Sequence, residues 1–253
     1  MFSRNIMNIF NHIVCIVFLL IFYKMTGFAG AGLLISSLLI FYVLFTILMG
    51  SIKSTVARMV AARRHRGFND NAKKIYKKLL IYTIIVSIIM ALFFKFAPFV
   101  LSKLFLGNKI AGDILVYCSL LFAFYAIAQC LTGNFLGCEN INIIAISEIV
   151  GAIVMLSTCP IIVSKMTKYG TNVSLLLKND LMVELYGCKG AIISLCISTF
   201  VMLIILITGT RGSFKVEDYL YNELRGKDSF RGFLIYSSAS IPVALFMISP
   251  NIK

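Results

Sequence analysis

Residues 53–78, KSTVARMVAARRHRGFNDNAKKIYKK, are the most polar stretch of a chain otherwise built from long apolar runs. They hold Lys53, Arg58, Arg63, Arg64, Arg66, Lys73, Lys74, Lys77 and Lys78 against one acid, Asp70, so nine of the 24 basic residues fall here. A basic stretch suits either nucleic acid or the rim of a membrane, and its flanks decide between them. Both flanks stay apolar over the ~20 residues that cross a bilayer, so the cations belong at a membrane rim. Composition agrees, with 60% hydrophobic and 13% charged residues and a mean hydropathy of +0.94. These values exclude an ordinary soluble domain. The net charge of +14 does not mark a nucleic-acid groove either, because the cations lie between apolar spans and are not gathered on a folded aqueous face.

Dividing the chain at its charges predicts an all-α, polytopic membrane helix bundle. The candidate spans are residues 5–23, 25–52, 79–101, 114–135, 141–164 and 190–210, with the start of a seventh at 232–252. Residues 1–210 are therefore expected to form a six-helix transmembrane lobe and 211–231 a charged cytoplasmic linker. Residues 232–253 would begin a second lobe. Residues 2–23 lack an AxA-like cleavage site and run straight into another span, so they read as a retained helix, not a signal peptide. Lys24 closes the first span, and the second starts with the flexible GFAGAG. Gly67 is the expected stop of a helix leaving the membrane, Asn69 to Asn71 the cap of one beginning near Ala72, and Pro98 a bend in the third span or its end. A tight GCEN turn separates spans four and five. Residues 165–189 read as a polar loop broken by glycines at 170 and 187, with Gly190 just beyond.

The positive-inside rule orients the chain. Counted on alternate sides, one side collects Arg4, the nine cations of 53–78 and the five of 211–231, which makes 15. The other collects Lys24, Lys95, Lys103, Lys109, Lys165, Lys168, Lys178 and Lys189, which makes 8, plus Lys253 at the end. The first side is expected to be cytoplasmic, with the amino terminus on it, in a multi-pass protein of the cell membrane.

A carboxylate inside a bilayer costs ~3 kcal/mol or more and is there to function or to pair. Glu148 is the clear case. It lies eight residues past Asn140, roughly 12 Å into the fifth span, and Gly151, Ala152 and Met155 share its helical face. It should point into the bundle, either as a contact for a cation, proton or sugar hydroxyl or as a structural carboxyl bonded to a neighbouring helix. Tyr125, Gln129 and Thr132 form one stripe of the fourth span, and Asn134 follows. These are the candidate substrate or ion-pathway residues, while Lys53, Arg58, Arg63, Arg64 and Arg66 form the basic rim. Gly133 and Gly137 make a GxxxG pair that favours close helix contact. The seven cysteines show no CxxC or Cys/His spacing and read as small buried hydrophobes, so neither a metal nor a cofactor is implied. An enzyme finds no support, since His12 and His65 are the only histidines and no acidic pair or nucleophile triad shares a surface. His12 reads as a helix-packing residue or, alternatively, one facing the same cavity as Glu148, and His65 reads as a solvated loop residue.

The Gly-rich start of the second span, the segment VARMVAARRHRGFNDNAKKI and the junction LTGNFLGCENINIIAISEIVGAIV together resemble a known pattern. It is that of the polysaccharide-export branch of the multidrug/oligosaccharidyl-lipid/polysaccharide (MOP) flippase superfamily. Members like stage V sporulation protein B are closest in pattern, with MviN-type lipid II flippases and MATE exporters more distant. Gly133, Phe135, Gly137, Ala145, Ile146, Ser147 and Glu148 carry the likeness. Thr132, Leu136 and Ile149 depart from the family's Arg, Gln and Gln, and the first span lacks the arginines with which lipid II flippases hold pyrophosphate. The resemblance implies the amino-terminal lobe of a V-shaped, two-lobed transporter. Such a protein flips lipid-linked oligosaccharide or polysaccharide precursors by alternating access, for cell-wall, capsule or spore-coat assembly. The partners implied are membrane lipid, the lipid-linked saccharide, a coupling ion (H+ or Na+) and a carboxy-terminal lobe or second half; nucleic acid is not among them. The alternatives are a MATE-type cation-coupled antiporter, for which the first span lacks the expected acid, and a non-transporting half-protein.

Overall fold

The computed structural model describes residues 4–106, 111–179 and 181–210, and the expected linker and seventh span lie outside them. Every element among these residues is an α-helix: α1 (Arg4–Met49), α2 (Ile52–Arg64), α3 (Asn69–Phe96), α4 (Pro98–Leu106), α5 (Ala111–Gly137), α6 (Ile141–Leu177) and α7 (Leu181–Thr210). Five helical stretches are long and apolar enough to cross a membrane. Their exposed faces show what solvent they need. On α3 the large side chains of Ile81, Ile85, Ile88, Ile89 and Leu92 point outward, while the small Thr83 and Ser87 are buried. Such a helix would be inside out in water and is in order in lipid, where large apolar groups face the solvent and small residues let helices approach.

At 46 residues, α1 is about 69 Å of helix, twice the ~30 Å hydrocarbon thickness. It does not run straight. Gly27 sits at φ 75°, ψ −171°, a backbone shape that only glycine takes without strain, and the helix breaks there. Residues on its two sides line one cavity as mirror positions about the bend: Asn11 with Tyr42, Cys15 with Leu38 and Leu39, Phe18 with Ile35. The two arms therefore fold back on each other. Lys24 does not end the first arm, which stays helical to the glycine. The bend is seated on α7, where the Cys188 thiol donates to the Gly30 carbonyl at 3.3 Å.

Three turns use the same device. A residue one to three positions past each helix end adopts the left-handed conformation, and the following N–H reaches back to the carbonyl five residues before it. Gly67 (φ 79°) ends α2 in this way, with Phe68 N–H bonded to the Arg63 carbonyl. Glu139 (φ 60°) ends α5, with Asn140 N–H on Phe135, and Lys178 (φ 51°) ends α6, with Asn179 N–H on Ser174. Gly67 is thus the expected stop and GCEN the expected tight turn. After Gly67, α3 begins at Asn69, three residues earlier than expected, and Phe68 sits at the cap position. Pro98 separates α3 from α4 as its missing N–H requires.

The polar loop expected over 165–189 is a correction. α6 continues to Leu177 and α7 begins at Leu181, so the segment is a helical hairpin extending both helices. Its glycines are not breakers. A side chain at Gly170 would meet the Val183 backbone at 3.0 Å, and one at Gly190 would meet the Val163 backbone at 3.1 Å. They are points of close approach between α6 and α7.

The basic segment is built the same way. α2 buries Ile52, Thr55, Val56 and Val60, leaves Arg58 exposed and keeps Lys53, Arg63 and Arg64 partly buried. It is seated on the glycines of α5: a Cβ at Gly133 would lie 2.6 Å from the Lys53 carbonyl, and one at Gly137 would lie 2.8 Å from that of Ala57. The GxxxG pair thus receives the rim helix itself. Gly133→Ala is expected to push α2 off α5 at a cost of about 1–3 kcal/mol. Gly151→Ala, whose Cβ would meet nothing closer than 3.5 Å, should be nearly neutral. Thermal unfolding of the two variants side by side checks this, and equal melting temperatures would remove the seating argument.

Candidate functional site

A cavity of about 610 Å³ lies between both arms of α1 and helices α5, α6 and α7. Most of its wall is apolar, including Phe18, Ile35, Leu38, Met155 and Met202. A polar strip crosses it: Asn11, Tyr42, Tyr125, Gln129, Glu148 and Ser198.

Glu148, half-buried, projects into this space from the second turn of α6, and Gly151, Ala152 and Met155 line the same wall. Its Oε2 accepts a hydrogen bond from the Asn11 side-chain amide at 2.8 Å, which ties the first arm of α1 to α6. Tyr125 and Gln129 face it from α5, their side chains hydrogen-bonded to each other. The Tyr125 ring is wedged against Phe45 (4.8 Å between centroids) and Phe41 (6.3 Å), which fixes where its hydroxyl points. On the far wall the Ser198 hydroxyl donates to the Gly151 carbonyl at 2.7 Å and clamps α7 to α6 beside the carboxylate.

Two expected pathway residues lie elsewhere. Thr132 is fully buried one turn beyond the cavity, and its hydroxyl donates to the Ala128 carbonyl of its own helix at 2.8 Å. Asn134 is also fully buried outside the cavity; its Oδ1 lies 4.0 Å from the Cys138 thiol, and its Nδ2 has no hydrogen-bond partner among the described residues. The stripe from Tyr125 leaves the cavity where the close packing of α2 begins. His12 is exposed and does not line the cavity; its neighbour Asn11 does. Asn11, Tyr42 and Ser198 were not singled out from sequence. Of these, an asparagine inside an apolar span was the readable signal, since such an amide must find a partner.

The rim residues form a separate surface. Arg58 and Arg66 are exposed, Lys53 and Arg63 are partly buried, and Arg63 Nη1 donates to the Met59 carbonyl at 3.0 Å. Arg64 hydrogen-bonds Cys138 in the α5–α6 turn; burial pushes that thiol's pKa up, and the guanidinium opposes the rise. His65 is exposed, as expected of a solvated turn residue, and stands 3.7 Å from Glu139, equally exposed. None of these residues lines the cavity.

A second polar cluster lies near the opposite end of the bundle. Lys189, expected in an outer loop, is buried in α7. Its ammonium lies 3.8 Å from Asp113 of α5 and over the rings of Tyr186 (4.7 Å) and Tyr117 (5.7 Å). The rings and the carboxylate together compensate a charge that could not otherwise be buried. Asp113 is half exposed, which screens the pair. Asp113→Asn should therefore destabilise by only about 1–2 kcal/mol, and adding Lys189→Met, which removes the buried charge and keeps its volume, should recover most of that loss. Chemical denaturation of the single and double variants checks the order. A double variant weaker than Asp113→Asn would sink it.

Compared with known protein families, with curated proteins and with solved structures, the chain matches none. No cluster of His, Cys, Asp and Glu that could hold a metal ion occurs among the described residues.

Proposed function

We propose that this chain is a lobe of a membrane transporter that flips lipid-linked oligosaccharide or polysaccharide precursors across the cell membrane by alternating access. The observation that carries the reading is the carboxylate of Glu148 opening into a cavity whose wall is mostly apolar and crossed by a strip of neutral polar groups. Such a group is kept in lipid for use or for pairing. Here its hydrogen bond from Asn11 is an exchangeable side-chain contact across two helices. A strip of amide, hydroxyl and carboxylate groups beside tyrosine rings is the surface that sugars use, and the apolar wall suits a lipid chain.

In this reading the arms of α1 are separate spans, so α1, α3, α5, α6 and α7 supply six crossings with MOP-like organisation. The α2 end is cytoplasmic, and so is the amino terminus. The cations of α2 would attract anionic headgroups, each worth ~1 kcal/mol near an anionic surface. A second reading, a MATE-type cation-coupled antiporter, is favoured by one feature: the cavity's charged group is an acid, which suits a cationic drug.

Glu148→Gln in the full chain is expected to abolish complementation of a flippase-deficient strain while the protein stays in the membrane. Unchanged polymer export would remove Glu148 from transport. The orientation has its own test. A cysteine placed at Asn69 should resist impermeant thiol reagents in intact cells and one at Asn172 should react; the opposite pattern would invert every helix.

A further inference from the structure

The charge balance of the cavity says more than that it binds something. Among the described residues that line it, Glu148 is the sole acidic side chain, and no lysine, arginine or histidine takes part. The other polar groups are the neutral Asn11, Tyr42, Tyr125, Gln129 and Ser198. A phosphate or pyrophosphate placed here would face a carboxylate across an apolar space with no cation to offset either charge, and low polarity strengthens that repulsion. The Asn11–Glu148 bond shows what the carboxylate accepts instead: an N–H donor reaching across from another helix.

We infer that this cavity takes the uncharged or cationic, donor-rich part of its ligand, hydroxyl or ammonium groups, and excludes phosphate, with the Asn11 amide standing where a ligand donor binds. The inference rests on the cavity being the ligand site of the proposed transporter. It divides the work within one substrate. The saccharide sits between α1 and α6, and any phosphate attached to it stays outside, where the cations of α2 lie. Along α5, Gly133, the seat of that helix, is one turn, about 6 Å, beyond Gln129. Binding exchanges one hydrogen bond for another at Glu148 and removes the Asn11 tie between the first arm of α1 and α6, so occupancy bears on how these two helices are held.

Cys15 reports on this directly, because it is exposed and lines the cavity, while Cys118, Cys130, Cys159, Cys188 and Cys196 are buried. The full chain in lipid nanodiscs, carrying Cys138→Ser so that Cys15 is the exposed thiol, is labelled with a small maleimide. Labelling is repeated with three amphiphiles of equal chain length: dodecyl maltoside, dodecylamine and dodecyl phosphate. The maltoside and the amine should each slow labelling at least about tenfold, the scale of one hydrogen bond to a charged group, and the phosphate less than about twofold. Asn11→Ala should lower the maltoside concentration needed, because the competing amide is gone. Glu148→Gln should cancel the advantage of the amine and keep that of the maltoside. Protection by the phosphate equal to that by the other two, or by none of the three, overturns the inference. If Cys15 does not label even without amphiphile, the cavity is shut and the transport reading falls with it. If the charge order holds while Glu148→Gln still exports polymer, only the transport reading is lost.

Discussion

Inside a bilayer no water is available to bond a stray polar group, and the organisation of this chain follows from that constraint. Its helices satisfy their own backbones, and most of their hydroxyls do the same. Ser37, Thr46, Thr83, Ser87, Thr132, Ser147 and Thr158 each donate to a carbonyl three or four residues earlier in their own helix. Four polar links between helices stand out among the described residues. Asn11–Glu148, Ser198 on the Gly151 carbonyl, the Cys188 contact with Gly30 and Lys189–Asp113 each mark a place where two elements must hold a fixed relation. Two of the four, Asn11–Glu148 and Ser198–Gly151, lie at the cavity.

With hydroxyls spent on their own helices, association depends on shape, and glycine sets the shape. Gly133 and Gly137 admit α2, and Gly170 and Gly190 admit α7 against α6. This explains why the sequence was legible in some places and not in others. Apolar length announced the helices, and the special backbone shapes at Gly67, Pro98 and GCEN announced their ends. The segment 165–189 misled because glycine and lysine have two meanings. In water-soluble chains they punctuate loops, whereas here the glycines are contact points and Lys189 is a buried cation held by two rings and a carboxylate. Nothing in the immediate sequence separates these meanings, since the deciding partners, Asp113 for Lys189 and Val163 for Gly190, lie on other helices.

The site was legible for the same reason that it is unusual. Glu148 is conspicuous because a carboxylate at that depth is costly, and helical spacing correctly put Gly151, Ala152 and Met155 on its wall. Periodicity also put Thr132 on the stripe of Tyr125 and Gln129. The angle was right, but the cavity ends first, because α2 closes on α5 at the next turn. A period gives the direction of a side chain and carries no information on how far along the helix a void extends. Asn11 shows the converse limit. Its place opposite Glu148 depends on the bend at Gly27, which brings the two arms of α1 to one cavity.

The bend also decides how charge is distributed. Because α1 doubles back, the bundle presents its first arm to α6, and the cavity between them is closed by Asn11, not by a cation. The cations that follow the second arm are carried past α5 on α2 and held outside by the two glycines. An amphiphile bearing both sugar and phosphate would therefore meet two different surfaces of this helix bundle, a carboxylate with neutral donors and acceptors within and guanidinium and ammonium groups at the rim. Separating them keeps Glu148 from being neutralised by an internal salt bridge. An Arg placed beside it would satisfy the carboxylate permanently, whereas an asparagine can be exchanged for a ligand at the cost of one ordinary hydrogen bond.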